Sequence, residues 1–127
     1  MKLHLTQSEG NNLITAYTED YIAINRQRYS SSLIVMANAI IADWGTPHTV
    51  PLTFELLTER EFDKVASLKP EVVLLGTGKS HQFLHPRVYQ SLTQQGIALE
   101  CMTTSAACRT YNILMSEGRN VAAMLLL

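Results

Sequence analysis

The sequence predicts an α/β fold: a three-layer domain with a mixed central sheet, flanking helices and an additional N-terminal β-hairpin layer. Three observations predict it. Short segments rich in β-branched and aromatic residues fill the first third of the chain. A continuous apolar run at 72–75 indicates a strand that is covered on both faces, and the largely apolar segments 97–101 and 120–126 are predicted to form two further strands. Segments with helical periodicity separate these runs, which is typical of parallel strands joined through helices.

Size and composition limit the class of protein. The 127 residues correspond to one domain, 1–127, and 46% hydrophobic residues supply a core. A formal net charge of -1 argues against nucleic acid as a partner, because such proteins normally carry a basic face. The two cysteines make no disulfide framework. No apolar run forms a signal peptide or reaches the roughly 18 residues of a membrane span, so a cytoplasmic location is expected.

The first third is predicted to form an antiparallel layer of short strands. Alternating apolar residues and turn clusters are the signals used. The predicted strand segments are 3–5, 13–18, 21–24, 33–37 and 39–45. Glu19 and Asp20 break two of them apart, which suggests a hairpin. Residues 25–28 are interpreted as a polar turn or twisted edge, and the two prolines in 46–51 predict a loop.

The middle of the chain turns helical. Thr58 followed three residues later by Glu61 forms a capping-box pattern that predicts a helix start. Pro70 stops this helix. The residues predicted to share one face are Phe62, Val65, Ala66 and Lys69, with the lysine at the helix end.

Two further helices are expected between the apolar runs. Pro86 fits the first turn of one, and Gly96 is its natural stop. Thr103 or Thr104 caps the other, which Gly118 ends. Their predicted inner faces contain Val88, Tyr89 and Leu92 in the first helix, and Ala107, Tyr111, Leu114 and Met115 in the second.

The stretch from Gly76 to Ser80, Gly-Thr-Gly-Lys-Ser, resembles the end of a phosphate-binding P-loop. A P-loop requires a glycine five residues before Gly78, and that position is Val73. Its lysine must also lead directly into a helix, whereas Pro86 places the next helix start later. Nucleoside triphosphate binding is therefore not expected, and the glycines indicate a turn at a strand end.

Two loops at the ends of predicted parallel strands form the candidate site. Open α/β sheets bind ligands at this edge, and loops 76–82 and 102–105 both lie there. The second loop opens a helix, whose free amides favour an anion. The candidate cleft for a small anion or polar metabolite comprises Gly76, Gly78, Lys79, His81, Thr103, Thr104, Ser105 and Arg109.

No metal site or cofactor is expected. His81 and His85 are four residues apart, but Pro86 opposes a helix through them, and the sequence offers no obvious third ligand. His48 and Cys101 carry no ligand spacing.

Catalytic residues are not apparent either. Cys108 lies early in a helix beside Arg109, and both features lower a thiol pKa, yet a buried packing role is favoured. For Arg109 two structural roles are favoured over catalysis: its long side chain extends outwards into solvent, or it forms an ion pair with a carboxylate such as Glu100 or Glu117.

Four segments together resemble a known family. They are Pro-Glu-Val-Val-Leu-Leu-Gly-Thr-Gly at 70–78, Gly-Ile-Ala-Leu-Glu-Cys-Met-Thr-Thr at 96–104, Ala-Ala-Cys-Arg-Thr-Tyr-Asn at 106–112 and Glu-Gly-Arg-Asn-Val-Ala-Ala at 117–123. The chain resembles the small domain-of-unknown-function family that includes mitochondrial complex I assembly factor 3 and an adipogenesis-associated cytosolic protein. The resemblance implies a three-layer fold, no established enzymatic activity, and protein partners for the mitochondrial members.

The leading hypothesis is a non-catalytic binding or assembly module with a protein partner. Its contact face is expected on apolar surface of the N-terminal β layer, which also suits self-association into a homo-oligomer. The alternative is a small-molecule or anion-binding protein, or an enzyme, that uses loops 76–82 and 102–105. A weaker third hypothesis is salt-dependent nucleic-acid binding through Arg26 and Arg28.

Overall fold

The computed structural model describes residues 11–42 and 52–127. The predictions of a strand at 3–5 and a loop at 46–51, and the remark on His48, lie outside the described residues. In chain order the elements are β1 Ile14–Tyr17, β2 Ile22–Ile24, β3 Gln27–Tyr29, β4 Leu33–Met36, β5 Ala39–Ala42, a 3-10 helix Phe54–Leu56, α1 Glu59–Ala66, β6 Val72–Gly76, a second 3-10 helix Pro86–Tyr89, α2 Gln90–Gln94, β7 Ala98–Met102, α3 Thr104–Ser116 and β8 Val121–Leu125.

The strands form two sheets, which confirms the predicted fold class. The central sheet has five strands in the order β5-β4-β8-β6-β7 and is mixed. Strand β6 runs parallel to both β7 and β8, whereas β4 runs antiparallel to β5 and β8. Strands β1, β2 and β3 form a separate antiparallel sheet, the additional N-terminal layer.

The segment 25–28, predicted to be a polar turn or a twisted edge, contains a two-residue turn and the first two residues of the edge strand β3. Only Asn25 and Arg26 form the turn, with φ values of 52° and 71°, and the chain pairs back at once on β2. Two consecutive left-handed residues are what a two-residue hairpin turn requires, and its twist matches that of the flanking strands. The first two residues of β3 are exposed on the sheet edge, which is why this strand is polar and lacks an apolar pattern.

The three middle strands of the central sheet, β4, β8 and β6, are buried on both faces. Val72 and Leu74 of β6 belong to one apolar cluster, with α3 and the three-stranded sheet. Val73 and Leu75 of the same strand belong to a second cluster, with α1 and α2. Side chains alternate across a strand, so a strand between two helical layers must be apolar at every position. This arrangement produces the three layers.

Helix α1 begins as predicted and ends earlier. The Thr58 N–H donates to Glu61 Oε1 at 2.7 Å, and the reciprocal side-chain bonds complete a capping box. The last helical residue is Ala66, and Lys69 is exposed with a φ of 56°. The prediction that Lys69 shares the buried face of this helix was therefore wrong. A left-handed residue there redirects the chain into β6.

The predicted helix from Pro86 divides into two pieces. The first piece is a 3-10 helix. Its N-terminus is capped by His85, whose ring nitrogen Nδ1 accepts the Arg87 N–H at 3.1 Å. Helix α2 follows and places Leu92 in the core. The predicted inner face is confirmed at Leu92, while Val88 and Tyr89 are half-buried.

Two adjacent side chains of α3 hold the N-terminal sheet in place. Asn112 Oδ1 accepts the Ile14 N–H at 3.0 Å, and Asn112 Nδ2 donates to the Ile14 carbonyl at 2.7 Å. The Tyr111 hydroxyl donates to the Asn12 carbonyl at 2.9 Å. The Asn112 amide thus replaces the neighbouring strand that the edge strand β1 lacks at this position.

The segment that connects α3 to β8 is held at the opposite end of the sheet. Arg119 Nε donates to Glu71 Oε1, and the Asn120 N–H donates to the same oxygen at 3.2 Å. Asn120 Nδ2 donates to the Lys69 carbonyl at 3.1 Å. The hydrogen bond from Arg119 lowers the pKa of the Glu71 carboxyl. These contacts give the Gly-Arg-Asn segment a structural role.

Candidate functional site

The two loops of the candidate cleft are adjacent in the structure. The Thr77 N–H donates to the Met102 carbonyl at 2.8 Å, and the Thr104 N–H donates to the Gly78 carbonyl at 2.9 Å. The chain connects β6 to β7 through α2 on one face and β7 to β8 through α3 on the other. Such a change of face is where open α/β sheets place ligands. Ligand binding there remains a prediction.

Thr104 is buried and braces this edge of the sheet. Its Oγ1 accepts the Gly78 N–H at 2.8 Å and donates to the Leu126 carbonyl at 2.6 Å. The side chain has no exposed surface. It therefore joins the ends of β6 and β8 to the start of α3, and its hydroxyl is already engaged by the backbone.

Gly76 lets α3 approach the end of β6. A Cβ atom on this residue would lie 2.9 Å from Thr104 Cα and 3.3 Å from Ala107 Cβ. The nearest atom belongs to the backbone, so no side-chain rotation relieves the contact. Glycine is required at position 76 because α3 packs closely there. Glycine is required at position 78 because the backbone of that residue has a φ of 98°.

Gly76→Ala is expected to lower the free energy of unfolding by about 1–3 kcal/mol, because the added methyl overpacks the contact between α3 and β6. Urea unfolding followed by circular dichroism measures the change. A second substitution, Thr104→Ala, is not expected to restore stability, since the obstructing atom is Cα. An unchanged urea midpoint for Gly76→Ala contradicts this description of the contact.

Both cysteines pack against the apolar core. Cys108 lies on α3 and is buried in the apolar cluster between this helix and the sheets. Burial raises the pKa of its thiol to about 12, although Arg109 opposes the shift. Burial also raises the pKa of the half-buried Cys101. A thiol in this state is scarcely ionised at neutral pH. The packing interpretation of Cys108 is confirmed.

Alkaline pH is expected to destabilise the fold through Cys108. The unfolded thiol ionises near its ordinary pKa of 9.0, but the folded thiol stays protonated up to about 12. Stability contributed by the neutral thiol is thus complete below pH 9 and is lost between pH 9 and 12, at about 1.4 kcal/mol per pH unit. Urea midpoints at pH 8 and 10 measure this. Cys108→Ala removes most of the difference, and an unchanged slope in that variant excludes the thiol as its source.

The exposed part of the site carries a charge pair and an aromatic pair. Lys79 Nζ lies 3.2 Å from Glu19 Oε2, with both side chains largely exposed. The rings of His81 and Phe83 lie 4.4 Å apart, and Phe83 is 80% exposed. Sequence reasoning missed Glu19, because its turn meets Lys79 only in the tertiary structure. It also missed Phe83. The available signal was the occurrence of one aromatic residue in a polar loop.

The start of α3 has fewer free amides than the anion hypothesis assumes. The Thr104 N–H donates to Gly78, and the Ala106 N–H donates to Thr103 Oγ1 at 3.4 Å. Thr103 Oγ1 in turn lies 3.5 Å from Ser105 Oγ. An anion at this end would compete with these internal bonds.

Arg109 is exposed one turn further along α3. No ion pair joins it to Glu100, Glu117 or another residue within 11–42 and 52–127, so the expected ion pair was wrong. Those positions all lie on the surface, where a long side chain gains little from pairing.

Neither a metal-ligand cluster nor a membrane-spanning helix is present in the described part of the chain. No group of three His, Cys, Asp or Glu residues within it is arranged to hold a metal ion. Of the helices in that part, none combines the length and apolar character needed to cross a bilayer.

Comparisons with known proteins agree on one family. The sequence model described as "Protein of unknown function (DUF498/DUF598)" matches residues 14–126. The rat protein named NADH dehydrogenase [ubiquinone] 1 alpha subcomplex assembly factor 3 is 42% identical over 89% of this chain. The match spans 59% of the rat protein's own length.

Solved structures show the same fold. A crystal structure of a Bordetella parapertussis protein superposes with a TM-score of 0.83 at 36% identity, covering 94% of this chain and 98% of that one. A Bordetella pertussis protein solved by NMR and described as a Mth938-like domain gives a TM-score of 0.74 at 32% identity, covering 99% and 92%.

Proposed function

Because this chain belongs to the DUF498/DUF598 family of proteins of unknown function, we propose that it is a non-catalytic module that binds a protein partner during the assembly of a protein complex. The similarity to proteins named as assembly factors supports the proposal. This chain spans just over half the length of those relatives, so their partners are not carried over. Shared fold by itself does not determine function.

The observation that carries the proposal is that the two threonine hydroxyls at the candidate cleft, those of Thr77 and Thr104, bond to the protein itself. Thr104 and Thr77 both use their hydroxyls on backbone carbonyls. Cys108 is buried and protonated. A catalytic site needs groups that are free to meet a substrate and are tuned to exchange protons near neutral pH. Binding of a protein requires neither.

The contact surface we propose is the loop that carries Phe83. The apolar residues of β1 and β2 face inward, where Ile14, Ile22 and Ile24 are buried, so the N-terminal layer does not supply the expected apolar face. Phe83 instead presents most of its ring to solvent beside His81. An exposed aromatic residue is a typical anchor at a protein interface.

Affinity capture under gentle lysis tests the proposal, with mass spectrometry of co-purified proteins and released small molecules. The tagged chain is compared with Phe83→Ser and with a matched control, Ile113→Ser, which changes an apolar residue that is 58% exposed on α3. A stoichiometric partner that is lost from Phe83→Ser and kept by Ile113→Ser is expected. Retention by Arg109→Ala is also expected.

Two outcomes contradict the proposal. One is a partner that binds Phe83→Ser as well as the unchanged chain, which removes the loop as the contact surface. The other is a metabolite, in place of a protein, that is retained by the unchanged chain and lost from a folded Gly78 or Thr104 variant. That result supports the cleft formed by loops 76–82 and 102–105 as a ligand site.

A further inference from the structure

Strand β7 forms one edge of the five-stranded sheet, and the backbone groups on its outer side are unpaired. The Thr77 N–H donates to the Met102 carbonyl at 2.8 Å, so Met102 faces β6. Residues alternate in direction along a parallel strand, so Glu100 also faces β6, whereas Leu99 and Cys101 point their N–H and C=O groups outward. Within the described residues, no backbone or side-chain group bonds these four outward groups.

Two other strand edges of the molecule are closed or carry a cation. Asn112 bonds the Ile14 backbone and closes the outer edge of β1. The edge strand β3 carries Arg28 at its centre. Strand β7 lacks such protection: residues 98–102 contain no lysine or proline, and the strand pairs with β6 without a bulge. An edge strand of this kind is a template for pairing with a further strand.

The side chains beside this edge are mostly apolar and only partly covered. Leu99 and Cys101 are half-buried against the cluster that contains α1 and α2. On the opposite face of the strand, Ala98 is exposed and Met102 is half-buried. A strand added beside β7 covers side chains on both faces and also pairs the outward backbone groups. An extended polypeptide is therefore the occupant that this edge fits.

We propose that a second copy of this chain occupies the edge, with its own β7 antiparallel to the first across a two-fold axis. The symmetry presents the same outward donors and acceptors on both copies, so donors of each copy meet acceptors of the other. The formal net charge of each copy is only -1, so electrostatic repulsion between the copies is weak. The five-stranded sheet continues from one copy into the other.

Glu100 selects the register of this pairing. A two-fold axis at Glu100 places two carboxylates directly opposite each other, and like charges in that position are destabilising. An axis at Cys101 avoids this contact, because Glu100 then lies opposite Met102 of the second copy. Cys101 of each copy then exchanges two backbone hydrogen bonds with Cys101 of the other. The strand is five residues long, so we expect a weak dimer that forms at high protein concentration.

The test uses the purified chain alone. Sedimentation velocity over about a hundredfold range of concentration is expected to show a dimer fraction that rises with concentration. The Cys101 amide is expected to exchange about tenfold more slowly when about nine-tenths of the chain is dimeric, because only the free copies expose it. The Glu100 and Met102 amides already face β6 and serve as internal controls, whose exchange is expected to change much less.

A mixture of isotope-labelled and unlabelled copies tests the register. A nuclear Overhauser effect between Glu100 of one copy and Met102 of the other is expected, since the Cα atoms of such a pair lie about 4.5 Å apart. An effect between the two Glu100 residues overturns the register centred on Cys101.

Cys101→Pro is expected to weaken the dimer at least about tenfold, because each copy loses the N–H that meets the other across the axis. That N–H points away from β6, so the pairing within the sheet is retained. Arg28→Pro is the matched control, because Arg28 also points its N–H outward, from the edge of the three-stranded sheet. It is expected to dimerise like the unchanged chain. Circular dichroism shows that both variants are folded, and the exchange measurement needs no variant.

Three results overturn the inference. They are a monomer at every concentration, exchange of the Cys101 amide that is independent of concentration, and equal dimerisation by folded Cys101→Pro and Arg28→Pro. Protection of Cys101 that appears only when another protein is bound assigns the edge to a strand of that protein, and it also overturns pairing between copies. The measurements use the chain alone and do not involve Phe83. Dimerisation and partner binding by the Phe83 loop therefore fail separately.

Discussion

Thr104→Val is expected to lower the free energy of unfolding by about 2–6 kcal/mol. Valine has nearly the same shape as threonine, so the packing against Gly76 and β8 is retained. The hydroxyl is lost, and the Gly78 N–H and the Leu126 carbonyl are left without this partner in a buried site. Each unsatisfied buried group contributes about 1–3 kcal/mol of destabilisation. Urea unfolding measures the sum.

Thr93→Val is the matched control for this change. Thr93 is exposed on α2, so the same chemical substitution is expected to alter the free energy of unfolding by less than about 0.5 kcal/mol. Equal stability of the two variants contradicts the bracing role of Thr104. The larger loss in Thr104→Val also supports an internal, rather than ligand-binding, use of that hydroxyl.

Asn112→Ala is expected to destabilise the protein by about 2–4 kcal/mol, because both hydrogen bonds to the Ile14 backbone are lost. Alanine is the better helix former, so its intrinsic preference opposes the loss by about 0.5 kcal/mol. The effect is expected to be local. Amide hydrogen exchange should accelerate in β1, which Asn112 bonds, and in β2, which pairs with β1, more than in β6 and β8.

Glu117→Ala serves as the control on the same helix, since Glu117 is exposed at the C-terminal cap. Its exchange pattern is expected to match that of the unchanged protein. If Asn112→Ala accelerates exchange equally in both sheets, the three-stranded sheet is not held separately by Asn112. Tyr111→Phe then shows whether the Asn12 hydrogen bond has that role.

The sequence predicted where the candidate site lies. It did not predict the hydrogen bonds that its side chains form. Strand ends at Gly76 and Met102 were readable from apolar runs, and parallel neighbours bring such ends together. The use of Thr104 was not readable. A threonine at a helix start has the same local signature whether its hydroxyl faces a ligand or a carbonyl of another strand.

The fold class of this protein follows from local patterns in its sequence. Uninterrupted apolar runs, a capping box and paired turn residues are local patterns, and each specifies its element without reference to the rest of the chain. The remaining features depend on how the layers pack: the Asn112 amide beside Ile14, the Lys79 pair with Glu19, and the hydrogen bonds of the Thr104 hydroxyl with Gly78 and Leu126. These depend on distances between residues far apart in the chain. Local propensity contains no information on such distances, because they arise only when the layers pack.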